Sequence, residues 1–252
     1  MRVAATGAGT PRRPVRRSDK VSETIARDIV RRIGAEELRP GTQLPPEAKM
    51  LAEYRVGRGS LREALRILEV HGLISIKPGP RGGPTVDQVH TENFGRMASL
   101  YFQMDGVTFQ DLLEARVIME PTLAGLAARR RDPQLVVELD RFTRDGRIGA
   151  DDEEYAQDAA DFHRVLAAMS GNPVMMLFGQ SIADILRDRL SPPLFPKSRR
   201  GAVLNVHCAI ARAVTEGDAA HAEALMAEHM SEYAAYVRRR HPGLMREVVD
   251  WR

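Results

Sequence analysis

The stretch VGRGSLREALRILEVHGL, residues 56–73, places three arginines on one face of a predicted helix. Arg58, Arg62 and Arg66 recur every four residues, a spacing that puts them on the same side of an α-helix. A second face carries apolar residues at helical spacing: Leu61, Ala64, Leu65 and Leu68. Arginine donates paired hydrogen bonds to O6 and N7 of guanine and also binds phosphate. The pattern therefore predicts a helix that packs against a core by one face and contacts nucleic acid with the other.

Three of the seven histidines fall on or beside apolar stripes of predicted helices. His207 lies ten residues before a turn near Gly217 and His229 lies twelve residues after it. At 1.5 Å per residue these are about 15 and 18 Å along two paired helices, so the two imidazoles would lie at one level. His163 can supply a third ligand, with water or an effector carboxylate completing the sphere of a shared metal. The alternative is three hydrogen-bonded core histidines that bind no metal.

A further charged residue, Arg116, falls inside an apolar stripe of a predicted helix over residues 107–131. An unpaired charge in that position would be costly, so Arg116 needs a partner. Glu120 lies four residues later on the same face and is the partner that we favour. The alternative is that Arg116 binds the carboxylate of an effector through two hydrogen bonds.

The elements around the arginine helix follow the order of a winged helix-turn-helix. A first helix begins at Ser18 or Ser22 and ends near Gly34, and a short second helix begins after Pro46. The run LISIKPGPRGGPTV reads as a hairpin with Lys77 and Arg81 at its tip. In this fold the third helix enters the major groove and the hairpin, or wing, contacts the DNA backbone or minor groove.

Beyond residue 87 the patterns predict only helices, with stripes over residues 91–104, 107–131, 133–145, 152–170, 173–190, 199–216 and 218–240. We therefore expect a mainly α fold: a disordered basic arm over residues 1–17, a winged helix-turn-helix over 18–87 and an all-α antiparallel bundle over 88–252. Residues 1–87 carry 17 Lys and Arg against 10 Asp and Glu, whereas the remainder carries 20 against 24. The basic excess accompanies the predicted DNA-binding domain.

Several classes of protein are disfavoured by what the sequence contains. The single cysteine, Cys208, allows no internal disulfide, and no run is apolar enough for a membrane span or a secretory signal, so we expect a cytoplasmic protein. The sequence contains no HExxH, GxSxG or phosphate-loop motif. We therefore do not expect an enzyme.

The stretch LPPEAKMLAEYRVGRGSLREALRILEVHGLI resembles the DNA-binding domain of the GntR family of bacterial transcription regulators. Further motifs, DLLEARVIMEPTLAGLAARR, FHRVLAAMSGNP and HCAIARAVTEGDAAHAEALMAEHM, resemble the helical FCD-type effector domain of its FadR subfamily. The resemblance implies that Arg58 and Arg62 read bases and grip phosphates, with Ser60 and Arg66 as further phosphate contacts. Two positions depart from the family pattern: Gly57 replaces the usual turn serine or threonine, and Ala48 replaces an arginine.

The resemblance also bears on the histidines. One branch of the subfamily holds a divalent cation beneath the effector with three histidines and an aspartate, and His163, His207 and His229 match the three histidines. The aspartate belongs one helical turn before the first histidine, where this chain has Ala159. Three outcomes stay open: Asp158 supplies the fourth ligand, the site has three protein ligands, or no metal binds. The expected ion is zinc, nickel or manganese.

Together these patterns predict a ligand-responsive transcription regulator, of the repressor type, that binds a pseudo-palindromic operator as a homodimer. We expect its effector to be a small carboxylate metabolite, and we expect the helical domain to make most of the dimer contact. One alternative is a regulator without metal that responds to a long acyl thioester. A more distant alternative is a metalloenzyme with a DNA-binding appendage, because three histidines and a water also form catalytic zinc sites.

Overall fold

The computed structural model describes residues 17–79, 82–88, 90–142, 151–190 and 197–251. The chain divides into two compact units, Met1–His90 and Thr91–Arg252. Residues 1–16, which hold almost all of the predicted basic arm, lie outside the described residues. Within the described part of the chain, every helix is too short or too polar to span a membrane.

The described residues of the first unit form three helices and one hairpin. Its helices are α1 (Arg17–Ala35), α2 (Glu47–Tyr54) and α3 (Arg58–Val70). Their apolar faces meet in one core of buried residues: Ile25, Ala26, Ile29, Leu44, Met50, Leu61, Ala64, Leu65, Leu68, Ile74 and Val86. The predicted inner face of α3 is therefore buried. Ser22 lies inside α1 and is buried, so it does not cap the helix as the sequence suggested.

The hairpin consists of β1 (Ile74–Lys77) and β2 (Gly83–Val86), which pair antiparallel with Ile74 opposite Val86. A feature that the sequence did not suggest extends this sheet. Gln43 forms an isolated bridge with Thr85, and the backbone N–H of Leu44 donates to the carbonyl of Pro84 at 2.9 Å. The segment between α1 and α2 thus ties the wing to the helical core.

The arginine helix α3 begins without side-chain capping. Its N-cap is Gly57, which has no side chain to accept from the first N–H groups. Gly59 follows in the first turn, and a Cβ placed there would meet no heavy atom within 4 Å. Glycine inside a helix lowers stability by roughly 0.5–1 kcal/mol relative to alanine, because a glycine loses more backbone conformational entropy when the chain folds.

Gly59→Ala is therefore expected to raise the free energy of unfolding of the first unit by about 0.5–1 kcal/mol. Slower hydrogen exchange of the α3 amides in the full chain would report this gain. Gly41→Ala is the control, because a Cβ there also meets open space but the backbone has a φ of 88°. That variant should lose stability, and equal losses in both variants would contradict the argument.

The second unit is entirely helical apart from one isolated bridge within its described residues. Its helices are α4 (Thr91–Asp105), α5 (Phe109–Arg130), α6 (Pro133–Asp140), α7 (Asp152–Met169), α8 (Pro173–Leu190), α9 (Lys197–Glu216) and α10 (Ala219–Arg240). The predicted helix over 133–145 ends earlier, at Asp140, because the chain turns at Phe142, whose N–H donates to the carbonyl of Leu139. Residues 143–150 lie outside the described residues. The mainly α fold with an N-terminal winged helix is confirmed.

Helix α5 is the central element of the second unit. It packs against α7, α8, α9 and α10, and these helices surround a core that includes Phe109, Leu113, Phe162, Ile210 and Met226. The end of the chain returns to the start of α5, where Val248 bridges Thr108 and the N–H of Phe109 donates to the carbonyl of Glu247. Three helices that contact α5 therefore bring their inward side chains to one place.

Candidate functional site

Three neighbouring helices each contribute one histidine to a single cluster. His163 comes from α7, His207 from α9 and His229 from α10. All three are buried, and one ring nitrogen from each lies within 4.8 Å of the others. The structure thus brings together the three histidines that the sequence singled out.

The separation of two of these nitrogens fits a shared ion. Nε2 of His207 lies 3.2 Å from Nε2 of His229. Two ligands about 2.0 Å from one tetrahedral cation lie roughly 3.3 Å apart, so this pair could bind one ion with little movement. The same distance also suits a hydrogen bond between two imidazoles in the absence of a metal. The donor set therefore fits a divalent cation without requiring one.

Burial keeps the paired imidazoles neutral. Burial, reinforced by His163 and Arg116, lowers the pKa of His229 to about 3. Burial also lowers the pKa of His207 well below its ordinary value, with further contributions from His229 and His163. Both rings are consequently uncharged at neutral pH, which is the form that ligates metals. The ring of Phe162 stacks on His207 with centroids 4.0 Å apart and fixes its plane.

Glu120 on α5 connects the histidine cluster to Arg116. Its Oε2 lies 2.9 Å from Nδ1 of His163, and its Oε1 accepts from Nε of Arg116 at 2.8 Å. Burial raises the pKa of Glu120, but the electrostatic influence of His163 and Arg116 outweighs burial and lowers that pKa to about 2. An ionised carboxylate can only accept hydrogen bonds, so Nδ1 of His163 donates to it.

Arg116 pairs with Glu120, the partner that its spacing favoured. The two side chains are 11% and 4% exposed, so this ion pair is largely removed from water. Burial lowers the pKa of Arg116, but the charge of Glu120 outweighs burial and raises it, so the guanidinium stays charged. Its central carbon lies 5.5 Å from the ring centroid of Tyr233. Arg116 also lines the adjoining cavity.

A cavity of about 300 Å³ opens beside the three histidines. Its walls combine the cluster with charged and polar side chains of α7 and α8, such as Arg164, Gln180 and Arg187. Ala159 lines the cavity one helical turn before His163, where the family pattern places an aspartate. Asp158 is absent from the lining and from the histidine group, as judged over the described residues. The geometry thus gives no support to Asp158 as a fourth ligand, whereas a site with three protein ligands and a metal-free cluster both fit it.

A second ion pair joins a buried arginine to a half-exposed aspartate of the cavity wall, and spacing along the sequence did not predict it. Arg200 of α9, 6% exposed, pairs with Asp152 at the start of α7, and its guanidinium carbon lies 4.7 Å from the ring centroid of Tyr155. Burial raises the pKa of Tyr155 to about 12. The two helices approach only in the folded bundle, so spacing along either one could not reveal this contact.

The candidate DNA surface lies on the first unit. Arg58, Arg62 and Arg66 are exposed along α3, and Lys77 is exposed at the end of β1. Ser60 is half-buried in the first turn of the same helix, and Arg81 lies outside the described residues. Nε of Arg62 lies 3.2 Å from Oε1 of Glu47, which links α3 to the first turn of α2. The structure therefore presents the arginines as one exposed positive face.

A winged helix with an exposed arginine face, followed in the same chain by a helical unit whose cavity carries several charged side chains, is the architecture of a ligand-binding transcription regulator. The sequence matches the family model for bacterial regulatory proteins, gntR family, over residues 21–82 and the model for the FCD domain over residues 111–232. The chain therefore belongs to the GntR family of bacterial regulators. This membership confirms the predicted class and the prediction that the chain is not an enzyme.

Curated relatives and one solved structure resemble the chain over most of its length. The HTH-type transcriptional repressor NanR of Edwardsiella tarda is 32% identical over 187 residues, which cover 73% of this chain and 71% of that protein. The protein of the same name from Cronobacter sakazakii is 29% identical over 242 residues, covering 92% and 90%. The Streptococcus agalactiae GntR structure has a TM-score of 0.61 at 23% identity and covers 85% of this chain and 99% of that one, which shows a shared fold.

Proposed function

We propose that this regulator is a repressor that binds a pseudo-palindromic operator as a homodimer and responds to a small carboxylate metabolite. The observation that carries the effector part is the cluster of His163, His207 and His229, with donor atoms within 4.8 Å, beside a 300 Å³ cavity in the second unit. These histidines would hold a divalent ion, which would supply a Lewis-acidic position for the effector. The names of the curated relatives support the choice of repressor.

The charge around the cluster favours an anionic effector. The three imidazole ligands are neutral donors, so they would leave the charge of a bound cation uncompensated. Glu120 is the carboxylate nearest to the cluster among the described contacts, and Arg116 balances its charge. Because Ala159 supplies no carboxylate, the effector itself would provide the anionic group. Imidazole donors suit zinc or nickel better than manganese.

The size and lining of the cavity support a small polar effector over the acyl-thioester alternative. A volume of about 300 Å³ lies at the lower end of the range for small-molecule sites. A long acyl chain would need an extended apolar channel, whereas this wall carries several arginines and carboxylates. We therefore favour a small carboxylate as the effector, and a long acyl thioester is the second candidate.

For DNA binding we assign residues 18–87 as the reading domain and residues 88–252 as the effector and dimer domain. Arg58 and Arg62 would contact bases and phosphates in the major groove. Ser60 and Arg66 would hold phosphates, and Lys77 and Arg81 would contact the backbone from the wing. The arginines of residues 1–17 would add affinity without sequence preference, so binding should weaken steeply with salt.

The effector needs only to bind one arrangement of the dimer better than another. The difference in its binding free energy between the two arrangements, typically about 1–3 kcal/mol, would then shift the equilibrium toward one spacing of the two winged helices. In this proposal the histidines and Arg116 orient the effector, and the helices that carry them transmit the change.

An exposed apolar stripe on α4 supports the homodimer and suggests where the chains meet. Met97, Leu100, Tyr101 and Met104 recur at helical spacing, and Tyr101 and Met104 are 68% and 83% exposed. Residues 97–104 contain no charged side chain. A single winged helix reads too few bases for tight binding, so an unpaired apolar stripe of this kind suits a second copy of the chain.

Met104→Glu is expected to weaken the dimer at least about tenfold, because it places a charge in an apolar contact. Sedimentation velocity over a concentration series would show a shift toward the mass of one chain. Val137→Glu on α6, where Val137 is 74% exposed, is the matched control and should stay dimeric. A monomeric wild type would contradict the homodimer, whereas a Met104→Glu dimer as tight as wild type would move the contact to another face.

The function as a whole is tested by selecting DNA from a random pool with the full chain loaded with zinc. We expect the selected DNA to be a pseudo-palindrome, with one operator bound by two chains. A panel of small carboxylates should then contain compounds that release this operator from wild type. Recovery of no preferred sequence, or of a sequence without two related halves, would contradict the proposal.

A further inference from the structure

We propose that Glu120 is a positioning residue that fixes the tautomer of His163 and couples this histidine to Arg116. The inference rests on the proposed metal site and effector cavity, but part of its test is independent of any metal. Glu120 does not belong to the ligand set itself, since its two oxygens are engaged by His163 and Arg116.

The carboxylate is placed between two groups that would otherwise be independent. Glu120 is 4% exposed, so water cannot replace either of its hydrogen bonds easily. Oε1 accepts from Nε of Arg116 and Oε2 accepts from Nδ1 of His163. Because the carboxylate group is planar and held at both oxygens, its rotation about the Cγ–Cδ bond is restricted.

The bond to Nδ1 decides which nitrogen of His163 can bind a metal. A proton on Nδ1 leaves the lone pair of a neutral ring on Nε2. His207 and His229 already face each other through Nε2, and a third Nε2 would complete a uniform donor set. Carboxylates that hold a ligating histidine in this way raise its basicity, and their loss typically lowers metal affinity about 10- to 100-fold.

The bond to Arg116 makes the carboxylate a link between the metal and effector positions. Arg116 lines the cavity, whereas His163 belongs to the cluster as well as to the cavity wall. An effector that binds the guanidinium of Arg116 would weaken the hydrogen bond from Arg116 to Oε1 of Glu120. The strength of the hydrogen bond between Oε2 and His163 would then change as well. Metal and effector binding should therefore be energetically coupled through Glu120.

Glu120→Gln tests the positioning role with almost no change in volume. Arg116 can only donate hydrogen bonds, so the single amide oxygen of the glutamine must face the arginine. The amide NH₂ then faces Nδ1 of His163 and requires that nitrogen to accept, which moves the ring proton to Nε2. We expect the affinity for Zn²⁺ to fall about 10- to 100-fold in a chelator competition assay.

Glu114→Gln is the matched control. It removes one carboxylate from an exposed position of the same helix, where Glu114 pairs with Arg238. Its Zn²⁺ affinity should match wild type. Equal affinities of wild type and Glu120→Gln, with the wild type binding zinc, would overturn the inference and leave the proposed metal site standing.

The metal-free readout is the nitrogen and proton NMR spectrum of the His163 ring at pH 8, assigned with a His163→Gln variant. We expect the ring proton of His163 on Nδ1 in wild type and on Nε2 in Glu120→Gln. A proton on Nε2 in wild type would overturn it even if Glu120→Gln fails to fold. A wild type that binds no zinc but shows Nδ1–H would instead refute the proposed metal site and uphold the positioning role.

Discussion

Replacing Arg58 by alanine should lower affinity for the selected operator about 10- to 100-fold and relax base preference at one position of each half-site. A bidentate arginine–guanine contact is worth roughly 1–3 kcal/mol of discrimination. Arg58 is the first residue of α3 and is exposed, and the N-terminal part of a recognition helix is the part that contacts base edges. Fluorescence anisotropy with the operator and with single-base variants would measure both effects.

Arg31→Ala controls for the loss of one positive charge. Arg31 lies on α1 with its side chain 74% exposed, and it pairs with Asp28. This variant should bind the operator within about twofold of wild type, because an exposed ion pair contributes little. An Arg58→Ala variant that keeps both affinity and base preference would mean that α3 is not the recognition helix.

His207→Gln is expected to lower Zn²⁺ affinity by at least about 100-fold, because it removes one of three proposed ligands. Glutamine fills most of the buried volume, so the core around Phe162 should be less disturbed than by alanine. Competition with a chromogenic chelator gives the affinity, and circular dichroism confirms that the helices remain. In an operator assay the variant should also lose release by carboxylates that act on wild type.

His221→Gln is the control for this second prediction. His221 is exposed in the first turn of α10, and its backbone N–H, rather than its ring, donates to the capping carboxylate of Asp218. Its zinc affinity should equal that of wild type. Zinc affinity unchanged by His207→Gln would show that the ion, if bound at all, is held elsewhere in the chain.

Periodicity predicted those parts of the fold that depend on one helix at a time. The inner face of α3 and the Arg116–Glu120 pair follow from spacings of three and four residues, and both are present. The common level of His207 and His229 could be predicted because a short turn at Gly217 joins their helices and fixes their register.

Contacts between helices that are distant in sequence could not be predicted in the same way. The bond from His163 to Glu120 spans 43 residues and depends on how α7 lies against α5. The Arg200–Asp152 pair and the bridge between Gln43 and Thr85 are of the same kind. A spacing rule places a residue on a face, whereas the identity of the facing residue is set by the packing of the whole unit.

The decisive measurement is the metal content of the wild-type chain, determined by elemental analysis of tag-free protein purified without chelators. The arrangement of His163, His207 and His229 predicts close to one divalent ion per chain, with zinc or nickel favoured. Protein that contains no metal, and takes up none after incubation with zinc, nickel and manganese, would contradict the proposed metal site. The three histidines would then be core residues joined by hydrogen bonds.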